Sequence, residues 1–296
     1  MEYKKIICKS VLSKSSGRYP YKYSANIYRG CLHSCQYCYA IYSHKFLGDD
    51  NFFETIYIKE NFVEELEKKL RSKAWKKEVI NFGSVCDSYQ PIEKELEIMR
   101  DVLKLMIKYE NPIIISTKST LILRDIDLIN ELSKLTFVSI AFTITSISDE
   151  LNKLIEPNVP SYLDRFKALK VLKEKTNAQI GLHMMPVIPY LTCDERSIEM
   201  MFRLANKVNV DYVIVGLLNL KSQVKQHFMS FISKELPAYY NDINKYFSNK
   251  EIRKAYKKDY YQTLNQLIKK YNININYKEY DYNNKQLSIF DITKDQ

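Results

Sequence analysis

The stretch "GCLHSCQYCYA", residues 30–40, places Cys31, Cys35 and Cys38 within eight residues, interleaved with His33, Tyr37 and Tyr39. The chain of 296 residues carries six cysteines, so half of them stand in this one loop. They are too close in sequence for a useful mutual staple, and clustered cysteines in a reducing compartment act as metal ligands or catalytic groups. That compartment is the expected one. The start "MEYKKIICKS" has no apolar run of signal-peptide length, and no later segment approaches the ~20 apolar residues of a membrane span. A cytoplasmic location, away from membranes, is therefore expected.

Outward from the loop, short β-branched runs alternate with longer amphipathic ones. The strand candidates are Tyr23–Tyr28, Glu78–Val85, Pro112–Thr117, Phe137–Thr143, Gln179–Pro186 and Asp211–Gly216. Helical patterns fall near Lys59–Trp75, Ile92–Tyr109, Asp125–Lys134, Tyr162–Lys175 and Asp194–Asn206, several of them opened by Asp, Ser or Pro. Such alternation predicts an α/β chain with parallel strands and helical crossovers, a partial (β/α)6 TIM-like barrel. The chemistry of these barrels sits at the carboxyl ends of the strands. The cysteines follow the first strand, "SVCDS" the second, "STKS" the third and "TIT" the fourth, so four polar clusters converge on one rim.

Net charge is +10 and unevenly spread. Lys221–Tyr280 holds twelve Lys and Arg against five Asp and Glu, with nine of the 24 tyrosines. Cations interleaved with rings suit a nucleic-acid surface, the charges for phosphates and the rings for bases, although a Lys-, Asn-, Ile- and Tyr-rich chain also matches AT-rich coding. Three segments are expected: the barrel over 1–220, a basic, mostly helical extension over 221–280, and an extended, mobile tail over 281–296.

Three thiolates spaced C-x3-C-x2-C can hold three irons of a [4Fe–4S] cube and leave the fourth open to a small molecule. The alternative is a zinc knuckle completed by His33 or His44. The cysteine loop, together with "NIYRG" before it and "DSYQPIEKE", "STKSTLILRDIDL", "LIEPNVPSYLDRF" and "MMPVIPYL" after it, resembles the spore photoproduct lyase-like branch of the radical S-adenosylmethionine superfamily. The resemblance spans about Asn26 to Leu191, and within the branch the chain looks most like the mobile pair proteins, protein B in particular.

What the resemblance implies is a [4Fe–4S] cluster on Cys31, Cys35 and Cys38 whose open iron binds S-adenosylmethionine. An electron from the cluster then cleaves the sulfonium to a 5′-deoxyadenosyl radical. The protein aims that chemistry. Tyr37, Ser88, Lys118 and Ser139 stand where relatives bind the cofactor, Lys118 suiting its carboxylate. Glu156 and Arg124 are weaker candidates that could serve only to fix helix starts. Cys86 stands where the lyase places a hydrogen-atom donor, with Tyr37 and Tyr39 to return the atom; a buried cysteine is also a common small hydrophobe. Cys8 and Cys193 are read as structural. An electron donor such as flavodoxin or ferredoxin is implied.

"QLSIF" near the end resembles a sliding-clamp docking pentapeptide, with Gln286 hydrogen-bonding and Leu287, Ile289 and Phe290 entering an apolar pocket. The leading expectation is thus a radical enzyme that takes a hydrogen atom from DNA in repair or modification, reaching a flipped or displaced base. The competing one is radical modification of a peptide or protein together with a partner radical enzyme. The lyase proper is longer, which puts spore photoproduct itself in doubt as substrate.

Overall fold

The computed structural model describes residues 1–15, 19–49 and 51–282. Strands β3 (Tyr23–Ala25), β6 (Ile80–Phe82), β7 (Ile113–Thr117), β8 (Val138–Thr143), β9 (Gln179–Val187) and β10 (Tyr212–Leu217) pair in parallel, in that order, to make the open barrel wall. The partial TIM-like α/β barrel is therefore present. β2 (Leu12–Lys14) adds one antiparallel strand outside β3. All six residues of β8 are buried, as in a strand covered on one side by helices and on the other by the barrel interior.

The crossover helices are α1 (Phe62–Arg71), α2 (Glu93–Leu96), α3 (Ile98–Tyr109), α4 (Ile126–Leu135), α5 (Asp149–Ile155), α6 (Tyr162–Lys175) and α7 (Glu195–Val208). α7 shows why they form: Asp194 accepts a hydrogen bond from Ser197 N, and Ile198, Met201, Phe202 and Ala205 recur at helical spacing on its buried face. Three further helices follow the barrel: α8 (Ser222–Glu235), α9 (Pro237–Ser248) and α10 (Lys250–Lys270). Among the described residues no helix is long and apolar enough to cross a membrane.

Several expected elements differ. The strand expected over Tyr23–Tyr28 breaks at Asn26, whose side chain accepts from Val85 N at 2.9 Å and whose carbonyl accepts from Lys59 Nζ. Its second half, β4 (Tyr28–Arg29), joins β1 (Glu2–Ile6) and β5 (Thr55–Lys59) in a separate three-stranded sheet. Neither β1 nor β5 stood out in the sequence, because Lys and Glu interrupt the first and the second runs straight into α1. The helix expected over Ile92–Tyr109 divides at Glu97, which takes a left-handed conformation at φ 51°. After α10 the irregular segment 272–280, "NININYKEY", lies along the free edge of β10, where Val213 N donates to Asn274 O at 2.8 Å. The motif Gln286, Leu287, Ile289 and Phe290 lies outside the described residues.

Candidate active site at the carboxyl end of the barrel

The cysteine loop leaves β4 through Gly30, whose φ of +84° favours glycine and whose absent Cβ would fall on Thr55 O. Side chains from other crossovers pin it. Gln90 Oε1 accepts from Leu32 N at 2.9 Å and Gln90 Nε2 donates to Gly30 O. Asn158 Nδ2 donates to Leu32 O at 2.8 Å, and Gln36 N to Ile155 O at 2.9 Å. Sequence reasoning assigned no role to Gln90 or Asn158. The available signal was their place beside prolines in "SYQPIE" and "EPNVP".

Two buried polar networks flank the loop. Asp87 accepts from Thr117 Oγ1 at 2.8 Å, Lys118 N at 2.7 Å and Tyr89 N at 2.9 Å. His33 Nε2 lies 3.1 Å from Asp87 Oδ2, close in distance though not aligned as a hydrogen bond. Burial pushes the Asp87 carboxyl up, but His33 and the backbone donors outweigh it and hold the group below the usual carboxylate range. On the other side, Tyr37 OH donates to Glu156, which also accepts from Thr145 Oγ1 at 3.0 Å and Arg165 Nη1 at 2.8 Å. Glu156 and Arg165 side chains are both fully buried. Burial again opposes ionisation of Glu156, and Arg165, Lys118 and Tyr37 together keep its carboxyl low.

Lys118 follows β7 and stands 5.7 Å over the Tyr37 ring. Burial works against its charge, yet Cys35, Glu156, Asp87 and Cys38 overcome that and raise its pKa. The thiols respond in kind: burial pushes Cys35 up to about 12, with Lys118 pulling it back. Cys31 and Cys38 are raised by burial as well. Cys86, 4% exposed, donates to Tyr28 O at 3.2 Å, and burial pushes it up to about 12, so its S–H stays intact at neutral pH. Ser88 is fully buried, and among the described residues its hydroxyl has no hydrogen-bond partner.

The structure thus gathers Cys31, Cys35, Cys38, Tyr37, Lys118 and Glu156 at one rim, with Cys86, Asp87 and Ser88 alongside. Tyr39 starts at this rim too, but its hydroxyl donates to Ser84 O, and among the described residues no hydrogen bond joins Cys86 to Tyr37 or Tyr39. Ser139 does not join the group. It is the second residue of β8, paired with Ile114 and Gln179 near the amino end of the barrel, where its hydroxyl meets Gln179 and Tyr212. Arg124 is engaged by Glu93 at 3.0 Å and Asp125 at 2.8 Å, as a structural ion pair. Cys193 Sγ accepts from Tyr256 OH and Tyr190 N.

Both histidines named for zinc have other partners: His33 faces Asp87 and Asn158 O, and His44 is buried against Thr55 O with Phe52 and Tyr57 around it. Among the described residues no three His, Cys, Asp or Glu groups already converge at metal-holding distance. All six cysteines are free.

Residues 25–205 match the family described as the Radical SAM superfamily. An uncharacterized protein of Methanocaldococcus jannaschii is 32% identical over 236 residues, covering 79% of this chain and 83% of the relative. One of Mycobacterium tuberculosis is 29% identical over 241 residues, with 78% and 69% covered. Among solved structures, a mutant of spore photoproduct lyase with bound AdoMet and dinucleoside spore photoproduct superposes with a TM-score of 0.61 at 15% identity, covering 78% of this chain and 66% of the lyase. Another mutant of the lyase gives 0.66 at 14% identity, covering 91% and 79%. At these identities the likeness is one of fold.

Proposed function

Because this chain belongs to the Radical SAM superfamily, we propose that it cleaves S-adenosylmethionine at a [4Fe–4S] cluster on Cys31, Cys35 and Cys38 and takes a hydrogen atom from a DNA nucleotide at the barrel mouth. Members of the superfamily use this cluster and S-adenosylmethionine, which together supply hydrogen-atom abstraction when bound. The residues at the rim fit both groups. Three free thiols share one loop for the irons, the Lys118 ammonium suits a carboxylate, and the buried, unpartnered Ser88 hydroxyl can bond a polar ligand. A reducing compartment, the cytoplasm, is the location we infer, and the free cysteines are compatible with it.

The observation that carries the DNA reading is one face of α10. Lys250, Lys254, Lys257, Lys258 and Tyr261 are all exposed and recur at helical spacing, and among the described residues none of these lysines has an ion-pair partner. A row of unpaired cations with a ring among them suits a phosphate backbone. The lyase crystallised with a dinucleoside photoproduct supports the same substrate class. Cys86 would then serve as hydrogen-atom donor, its S–H giving a hydrogen atom to the substrate carbon radical and becoming a thiyl, which Tyr37 and Tyr39 would return to the thiol by relaying the atom held by 5′-deoxyadenosine. Gln286, Leu287, Ile289 and Phe290 would bring the enzyme to DNA through a sliding clamp, and flavodoxin or ferredoxin would supply the electron.

The test is anaerobic reconstitution with iron and sulfide, then S-adenosylmethionine and dithionite with or without ultraviolet-irradiated DNA. 5′-Deoxyadenosine should form with the parent chain and fail with Cys35→Ala. DNA bases should change with the parent, whereas Cys86→Ala should cleave the cofactor without yielding the normal product. DNA affinity should fall steeply with salt, and changing the four α10 lysines to Gln should reduce the log–log slope by about 3 to 4. Cofactor cleavage with untouched DNA would move the assignment to a peptide or protein substrate handled with a partner radical enzyme.

A further inference from the structure

The 3-10 helix Tyr39–Leu47 starts directly after Cys38 and leaves three rings in solvent: Tyr39 is 56% exposed, Tyr42 44% and Phe46 77%. The segment leading into β3 adds Tyr19, 61% exposed and stacked on Tyr21 with centroids 5.2 Å apart and planes within 10°. Tyr42 and Phe46 meet edge to face at 6.3 Å. Three exposed rings thus stand on the turn that leaves the last cysteine of the loop, with a stacked tyrosine pair on the approach to β3.

Water does not favour such a surface, and nothing in the packing of the barrel requires it. Phe46 and Tyr42 could be polar without opening the core. Lys45 is exposed between them and has no ion-pair partner among the described residues, while the neighbouring carboxylate of Asp49 is occupied by Tyr57 OH at 2.8 Å and Asn51 N at 2.7 Å. Exposed rings with an available cation form the surface that single-stranded nucleic acid uses. Every base has a face to stack, and the cation takes the phosphate.

We propose that Tyr39, Tyr42 and Phe46 form a stacking platform that holds the unstacked bases flanking the target nucleotide, so that the enzyme prefers single-stranded or locally opened DNA to intact duplex. The proposal rests on the DNA reading above. A nucleotide reaching the cysteine rim must leave its helix, and the platform stabilises the neighbours it leaves behind.

Fluorescence anisotropy of the reconstituted full chain with a labelled 12-nucleotide single strand, and with the matching duplex, at one fixed salt concentration tests this. The parent should bind the single strand the more tightly. Tyr42→Ala with Phe46→Ala should weaken single-strand binding 10-fold or more and duplex binding little, and Phe46→Trp should retain the preference. Circular dichroism melts and DNA-independent 5′-deoxyadenosine formation should be unchanged, since neither side chain is in the core. Unaltered single-strand binding in the double variant, or equal losses on both forms, overturns the platform while leaving DNA as substrate. If the parent binds neither form even at low salt, both the platform and the DNA reading fall, and the rings become a protein-facing surface.

Discussion

Glu156 sits on a knife-edge that burial alone would tip towards protonation. Arg165, Lys118 and the Tyr37 hydroxyl hold it ionised instead. Asp87 is in the same position, with His33 and two backbone donors in place of the arginine. A carboxyl whose folded pKa is depressed contributes stability that is fully present above the unfolded value of about 4 and is lost as pH falls through the folded value. Urea melts should therefore show stability flat from pH 7 to about 5 and falling below that. Glu156→Gln should cost about 3–5 kcal/mol at pH 7 by leaving Arg165 buried without its counter-charge, and should flatten the acid limb by close to one proton. An acid limb identical to the parent's would remove Glu156 as its source. The sequence shows the cysteines and Lys118 because each sits in a short local pattern. It hides the Tyr37–Glu156 bond, whose partners are separated by 119 residues, and misplaces Ser139, where a polar residue on the right strand stands at the wrong end of it.

α8 is the element that ties the extension to the site. Val224, Phe228 and Ile232 form its inner face, and they pack with Cys35, Tyr37, Ile155, Ile188 and Leu218 in one apolar cluster separate from the main core. The extension is therefore a wall of the cysteine loop as well as a basic surface. Its helical character was readable from the sequence, since Val224, Phe228 and Ile232 repeat every fourth residue; its partner was not, because nothing local says that this helix covers a loop nearly two hundred positions earlier. Phe228 is fully buried. Phe228→Ala should cost about 3–5 kcal/mol through lost burial and the cavity left behind, and should speed alkylation of the Cys35 thiol in metal-free protein. Equal labelling rates, with the mutant peptide identified by mass spectrometry, would show that α8 does not shield the loop. The same limit explains the three-stranded sheet: β5 joins β1 across more than fifty residues, and long-range pairing leaves little trace in periodicity.

At the scale of the whole molecule the barrel is open, and an open sheet has two edges. β2 closes one of them by pairing antiparallel to β3, and the segment after α10 lies along the other, with Val213 N bonded to Asn274 O and Asn274 Nδ2 bonded to Asp211 O at 2.6 Å. Phe137 and Tyr280, with centroids 6.1 Å apart, and Tyr212 and Tyr277, at 5.9 Å, fasten the same segment against the amino end of the wall. That covering strip also bears on solubility. β10 is an apolar strand, Tyr-Val-Ile-Val-Gly-Leu, and a bare strand of this kind recruits its like from another molecule. Ending the chain after Asn272 should therefore convert a dispersed protein into one that self-associates, visible by light scattering as concentration rises. Residues 273–280 thus offer the last strand of the barrel the partner that it would otherwise seek in another molecule.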